Sequence, residues 1–313
     1  MYFPYLRCKQ FELLALRDII PIIGQTTLIS PVLEPVKKAT ASFERALDVL
    51  LENNFNFTIV INPTFGEFVE SRAGLITMVN NKLRDYTNFQ FGLVLNQHTN
   101  LDAITELLRQ FEFQRPLTLI HNARVSDSEA LVGWCEGKQI LYNLYGENFP
   151  VRRYRGIITP ESKVLLEDKF ITQIKNADYS NVPEEFFSDD HQYFREDGFI
   201  GFGDFLTIGD DYSEAGWLPY AIAIHFTYSR PDGQIWIRHF VSDSNSDTTD
   251  VAGKFGEALE KLIEFIEEHN VTTSAAGEFR ALHREGHYPG LGSLKKLSIK
   301  NHIELVYQLI SEQ

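Results

Sequence analysis

The sequence predicts an α/β fold, specifically a TIM-barrel-like (β/α)8 domain with an elaborated eighth unit and a C-terminal decoration. Six short runs are apolar on both faces, as in strands of a parallel sheet that is covered on both sides. They recur about every 25 to 30 residues, which leaves room for one helix and two loops between them. The six runs are Thr27–Pro35, Phe57–Pro63, Phe89–Gln97, Pro116–Asn122, Gln139–Leu144 and Lys163–Asp168.

The segments between these runs have the apolar spacing of helices. A short aromatic strand at Tyr2–Leu6 leads into a helix over Lys9–Ile20, and Ala41–Asn53 carries its apolar residues on one face. Seven strand–helix units are therefore expected by about residue 180. Further helices are predicted over Gly66–Tyr86, Leu101–Phe111, Ser126–Cys135 and Phe170–Ala177.

The eighth unit is assigned to a β-hairpin. Tyr220–Tyr228 and Gln234–Val241 flank Pro231-Asp232-Gly233, in which Pro presets the turn and Gly accepts a positive φ. Tyr220–Tyr228 is interpreted as the eighth barrel strand, and the amphipathic segment Asp250–His269 as the eighth helix.

Residues 180–218 are interpreted as an insertion before the hairpin, which itself spans residues 220–241. Within the insertion, the sequence GFGDF at 201–205 is expected to form a bulged strand or a tight turn. Residues 272–313 are interpreted as a C-terminal extension that is irregular up to Leu297 and helical over Lys300–Ile310. No Pro- or Ser-rich linker divides the chain, so residues 1–313 are predicted to form one domain.

Composition excludes several functional classes. The net charge of -14 disfavours broad binding to nucleic acids or to anionic membranes. Two cysteines are too few for a disulfide framework, and the first ten residues lack the pattern of a signal peptide. We expect a cytoplasmic protein without a membrane segment.

Polar residues stand at the predicted strand ends, where parallel βα folds carry their ligand sites. The catalytic candidates are Glu34, Asp168 and His225. The substrate-binding candidates are Asn62, Asn96, His121 and Asp204.

Two chemistries fit this set. Three carboxylates and an imidazole, from Glu34, Asp168, Asp204 and His225, have the donor atoms of a divalent metal site that could activate water. Alternatively, Glu34 and Asp168 could act as a metal-free acid–base pair, as in sugar hydrolases. The competing structural explanation pairs Glu34 with Lys37 and Asp168 with Lys169, and makes His225 a hydrogen-bonded strand residue.

Several segments resemble one protein family. The opening YFPYLRCKQFELLAL and the later PVLEPVK are similar to the "beta protein" family of prokaryotes and phages, although Phe11 stands where many relatives have Gly. A bacterial branch of that family is indicated by EDKF (167–170), NADY (176–179), GFGDFLTI (201–208), HFTY (225–228) and HFVSD (239–243).

The resemblance implies a component of a mobile element or a phage-defence island that acts with a protein partner. It carries over no catalytic residue. Together with the candidate site residues, the resemblance leads us to predict a metal-assisted hydrolase of such a system. The alternative is a non-catalytic module that binds a ligand or a partner.

Overall fold

The computed structural model describes residues 1–213 and 219–312. The chain forms two compact units, and the single domain over residues 1–313 stays a prediction. The barrel unit comprises Met1–Leu13, Ile20–Glu167 and Gln192–Asp204. The second unit comprises Leu14–Ile19, Asp168–His191 and Phe205–Gln313.

The described residues form strands, α-helices and short 3-10 helices. The strands are β1 Tyr5–Leu6, β2 Val32–Leu33, β3 Phe57–Val60, β4 Phe89–Leu95, β5 Leu117–His121, β6 Ile140–Tyr145, β7 Lys163–Glu167, β8 Glu184–Ser188, β9 Gly201–Asp204, β10 Ala223–Ser229 and β11 Ile235–Val241. The α-helices are α1 Gln10–Ile23, α2 Ala41–Glu52, α3 Ala73–Lys82, α4 Leu101–Arg109, α5 Ser128–Cys135, α6 Asp190–Tyr193, α7 Val251–Glu268, α8 Ser274–Glu285 and α9 Leu291–Ser311. The 3-10 helices are Glu67–Val69, Val151–Tyr154, Pro160–Ser162 and Asn176–Asn181.

The barrel unit holds a parallel eight-stranded sheet in the order β1-β2-β3-β4-β5-β6-β7-β9. The two ends of this sheet meet, because Tyr2 bridges to both Ile29 and Phe202. The Phe3 amide donates to the Phe202 carbonyl at 2.8 Å across this seam. Helices alternate with the first strands, so the predicted TIM-barrel-like (β/α)8 fold is confirmed.

Small residues let the barrel interior close. The hydroxyls of Thr58 and Thr118 lie 3.2 Å apart although β4 runs between their strands. They meet over Gly92, where a Cβ would stand only 2.8 Å from the Thr58 methyl group. At the seam, a Cβ on Gly203 would stand 2.3 Å from the Phe3 carbonyl oxygen. The close approach of the strands thus requires glycine at both positions.

The assignment of the eighth barrel strand to Tyr220–Tyr228 is wrong. The eighth strand is β9, within the 180–218 segment that was interpreted as an insertion, and it pairs with β7. GFGD forms a short regular strand because its two glycines face Phe3, which lies just before β1. The segment predicted to be the barrel strand instead contains β10, which lies in a separate sheet.

The second unit is built on an antiparallel sheet in the order β10-β11-β8. The predicted hairpin is confirmed, since β10 and β11 pair antiparallel from Ser229↔Ile235 to Ala223↔Val241. Alternate residues of β10, namely Ile224, Phe226 and Tyr228, join a hydrophobic core with α7, α8 and the start of α9. The residues between them, including His225, therefore point to the opposite face of the sheet.

Two further predictions differ from the structure. Phe170–Ala177 is not an α-helix, because the Asp168 carboxylate accepts from the Phe170 amide at 3.0 Å and turns the chain. Residues 272–297 are not irregular, since α8 begins at a Thr273 cap that accepts from the Ala276 amide. Among the described helices, none combines the length and the hydropathy needed to cross a bilayer.

Candidate functional site

The predicted site residues fall in both units. Glu34, Asn62, Asn96, His121 and Asp204 belong to the barrel unit, and Asp168 and His225 belong to the second unit. Whether the three catalytic candidates face a common cavity stays a prediction. Each residue has well-defined surroundings within its own unit.

Glu34 is a buried carboxylate held by several donors. Its Oε1 accepts from the Thr64 amide at 2.8 Å and from the Thr64 hydroxyl at 3.0 Å. Its Oε2 accepts from the Tyr5 hydroxyl at 2.9 Å and lies 3.5 Å from Nε of Arg7. The pKa of Tyr5 is raised well above its usual value, first by burial and then by the Glu34 charge. This arrangement fixes the carboxylate firmly and uses both of its oxygens.

The two lysines that a purely structural explanation pairs with Glu34 and Asp168 form ion pairs with other carboxylates. Lys37 pairs with Glu67 at 3.4 Å, and Lys169 pairs with Asp190 at 2.9 Å. The carboxylate of Asp168 accepts from the amides of Phe170 and Asp210, at 3.0 and 2.9 Å.

The remaining carboxylate and amide candidates also have defined partners. The Tyr2 hydroxyl donates to Asp204 Oδ1 at 2.9 Å, and both groups are buried. The Asn62 side chain exchanges two 2.8 Å hydrogen bonds with the backbone of Val94, thereby extending the ladder beyond β3. Asn62 and Asn96 line one cavity of about 340 Å³ at the C-terminal ends of β3 and β4.

His121 ends β5 and is 5% exposed. Its Nε2 lies 2.9 Å from Asn143 Oδ1, and the Asn143 amide nitrogen donates to the Ile157 carbonyl and the Ser162 hydroxyl. The Ile157 carbonyl can only accept, so the NH₂ group of Asn143 must face it and Asn143 Oδ1 must face His121. His121 therefore donates from Nε2. Its Nδ1 is a buried lone pair for which the described part of the chain supplies no donor. Burial lowers the pKa of His121 to about 4.

In the second unit, His225 belongs to a chain of three hydrogen-bonded groups. Its Nδ1 lies 2.8 Å from Nδ1 of His239, directly opposite on β11. The other nitrogen of His239, Nε2, lies 3.1 Å from Oε1 of Glu185 on β8. Three adjacent strands therefore supply one residue each to what we call the histidine relay, Glu185–His239–His225.

Aromatic rings enclose the relay. The Tyr179 ring lies 4.6 Å from the His225 ring and 4.5 Å from the His239 ring, and Phe170 lies 5.0 Å from His225. Burial, His239 and Lys295 together lower the pKa of His225 to about 3. Burial also lowers the pKa of His239, against the opposing effect of Glu185. Both imidazoles are therefore neutral at pH 7.

Neutrality fixes the proton positions along the relay. A carboxylate only accepts, so His239 donates from Nε2 to Glu185 and keeps a lone pair on Nδ1. His225 must then donate from Nδ1, which leaves its Nε2 with a lone pair. His225 is partly exposed, and no described residue hydrogen-bonds its Nε2. The relay thus presents one oriented imidazole lone pair, with a carboxylate two groups behind it.

Sequence reasoning identified His225 but not its partners. His239 and Glu185 lie 14 and 54 residues away from the groups that they contact. The HFTY and HFVSD segments contained both histidines, and only the hairpin register reveals that they are opposite each other. Over residues 1–213 and 219–312, no three His, Cys, Asp or Glu side chains are grouped closely enough to hold a metal ion.

Comparisons with known proteins add little. No family model matches the chain, and no curated protein matches it. Among solved structures, the chain is similar to the spore cortex-lytic enzyme SleL of Bacillus cereus, with 11% identity and a TM-score of 0.36. The match covers 96% of this chain and 74% of that one. A likeness of this size carries no information on activity.

Proposed function

We propose that the protein is a metal-free hydrolase in which the histidine relay accepts the proton of an attacking water. The observation that carries this proposal is the continuous hydrogen-bonded series from Glu185 through His239 to His225. A base oriented by a second group, which is itself held by a carboxylate, is the arrangement that proton-transfer catalysis needs.

A pKa of about 3 makes His225 a weak base that holds an added proton poorly, and the relay offers that charge a better place. A proton taken at Nε2 of His225 need not stay there, because the Nδ1 proton can pass across the 2.8 Å contact to His239. The positive charge then lies on His239, 3.1 Å from the Glu185 carboxylate that stabilises it. The cation of Lys295, whose charge acts on His225, would favour negative charge that develops on the substrate.

The biological setting follows from the family resemblance and is part of the proposal. A component of a phage-defence or mobile-element system would act with a protein partner. The charge of -14 supports a substrate other than bulk nucleic acid.

Hydrolysis is tested with p-nitrophenyl carboxylic esters, phosphodiesters and glycosides. We expect the wild type to hydrolyse at least one class, and His225→Ala to lower kcat by about 10²- to 10⁴-fold. Glu185→Gln keeps the shape but removes the charge behind His239, so it should lower kcat less and change its pH dependence. His287→Ala, at an exposed histidine outside the relay, is the control and should leave kcat unchanged.

A second measurement does not depend on the substrate. Two-bond ¹H–¹⁵N NMR of the imidazoles should show His225 protonated at Nδ1 and unprotonated at Nε2. Full activity of His225→Ala, the absence of hydrolysis in all three classes, or a His225 protonated at Nε2 would each contradict the proposal.

A non-catalytic binding module is the second candidate. The observation in its favour is that the Glu34 and Asp168 carboxylates are engaged by hydroxyl and backbone donors, as in structural roles. If the panel shows no hydrolysis, this candidate replaces the first.

A further inference from the structure

The cavity at the C-terminal ends of β3 and β4 lies wholly within the barrel unit. Its volume of about 340 Å³ lies within the range typical of small-molecule sites. Its lining includes the apolar residues Val94, Ile104 and Leu107 and the polar residues Arg72, His98 and Thr99. We call it the Arg72 pocket.

The charge of the pocket is opposite to that of the protein. The chain has 43 acidic and 29 basic residues, yet none of the residues that line the pocket is acidic. Arg72 is the arginine among the lining residues, and it brings a positive charge to the cavity. In such an acidic chain, a cavity that lacks carboxylates and contains a guanidinium favours an anionic ligand.

The guanidinium of Arg72 is not used by the described fold. Its Nε is buried without an acceptor, and no described side chain or carbonyl binds its guanidinium. A guanidinium has five N–H donors in a planar fork that matches the oxygens of phosphate or carboxylate. Arg109, by comparison, pairs with Glu106 at 3.2 Å.

Thr99 and Asn96, which also line the pocket, have donors to spare. The Thr99 hydroxyl oxygen accepts from the Asn96 amide at 2.8 Å, which leaves its own proton available. The Asn96 side-chain oxygen accepts from the His98 amide, which leaves the Asn96 NH₂ group for a ligand. Donors from three residues around one cavity suit the three terminal oxygens of a phosphate monoester better than the two of a carboxylate.

We propose that the Arg72 pocket binds a phosphorylated small molecule, with Arg72 holding the phosphate and the apolar side chains contacting the organic part. The proposal concerns the barrel unit alone and does not depend on the histidine relay.

The test is a titration of the full-length protein with inorganic phosphate at constant ionic strength, followed by methyl NMR. We expect saturable shifts of the Ile104 and Leu107 methyl signals, and no saturable shifts when chloride replaces phosphate. Arg72→Gln should weaken phosphate binding at least about tenfold, and Arg72→Lys should weaken it less because charge remains without the fork. Arg45→Gln removes the same charge from an exposed site on α2 and should bind like the wild type.

The proposal is overturned if phosphate causes no saturable shift at these methyl groups, or if Arg72→Gln binds phosphate as the wild type does. It is overturned equally if malonate binds more tightly than phosphate, since the site would then select carboxylates. The methyl spectrum of each variant in buffer shows whether that variant is folded, so a loss of binding is not confused with unfolding.

Discussion

Replacing His121 by Gln should remove a large part of the acid sensitivity of the barrel unit. His121 has a folded-state pKa of about 4, below the ordinary value of 6.5, because burial disfavours the imidazolium. The unfolded state therefore binds the proton more readily, so this group favours folding above pH 6.5. That contribution is lost progressively as the pH falls from 6.5 towards 4.

The magnitude follows from the two pKa values. Between pH 7 and pH 4.5, protonation of the unfolded state should cost the wild type about 2 kcal/mol of unfolding free energy through His121 alone. The structural reason is direct, because the added proton would sit on Nδ1, which has no described acceptor. In His121→Gln the side-chain NH₂ can still donate to Asn143, but it does not titrate.

The assay is urea unfolding at pH 7 and pH 4.5, followed by the fluorescence of Trp134, which lies in the barrel unit. Trp236 is replaced by Phe, as is Trp217, which lies outside the described residues, so that Trp134 alone reports. His98→Gln, at an exposed histidine of the same unit, is the control. The wild type and the control should lose about 2 kcal/mol more than His121→Gln between the two pH values. Equal losses in all three proteins would refute the burial argument.

Two further predictions concern how tightly the barrel packs. Gly92→Ala should destabilise the protein by about 1–3 kcal/mol in urea unfolding, because the new Cβ would meet the Thr58 methyl at 2.8 Å. Gly133→Ala is the control, since its Cβ would have open space and should stabilise α5 slightly. Similar unfolding midpoints for the two variants would argue against a tightly packed interior. Tyr2→Phe should cost about 1–3 kcal/mol because it removes a buried donor to Asp204, and a thermal midpoint equal to that of the wild type would show that this hydrogen bond is dispensable.

Seven of the eight barrel strands could be predicted because each carries its own apolar signal. The eighth could not, since Gly201–Asp204 offers two glycines to the barrel interior and Phe3 fills the space that its side chains would occupy. The apolar side chain that would mark this strand therefore belongs to Phe3, about 200 residues earlier in the chain. The hairpin, by contrast, was predictable from its local turn residues.

The candidate site was predictable only in part, for a similar reason. His225 was recognisable as a polar residue in an apolar strand, but its chemistry depends on a register that brings His239 opposite it and on Glu185 from a third strand. Arg72 had no sequence signal at all. It matters because nothing in the described fold neutralises it, and this can be seen only once its neighbours are known.

The seam of the barrel has a consequence for how the chain folds during synthesis. Tyr2 and Asp204, which are hydrogen-bonded across it, are 202 residues apart in the chain. At ribosomal speeds of about 5–20 residues per second, the first strand waits on the order of 10 to 40 s before its partner exists. For that time an incomplete sheet has two open edges of apolar strands, which are prone to pair with other chains. Slower translation between β7 and β9 would therefore lengthen the period of greatest exposure to aggregation without changing one contact of the finished barrel.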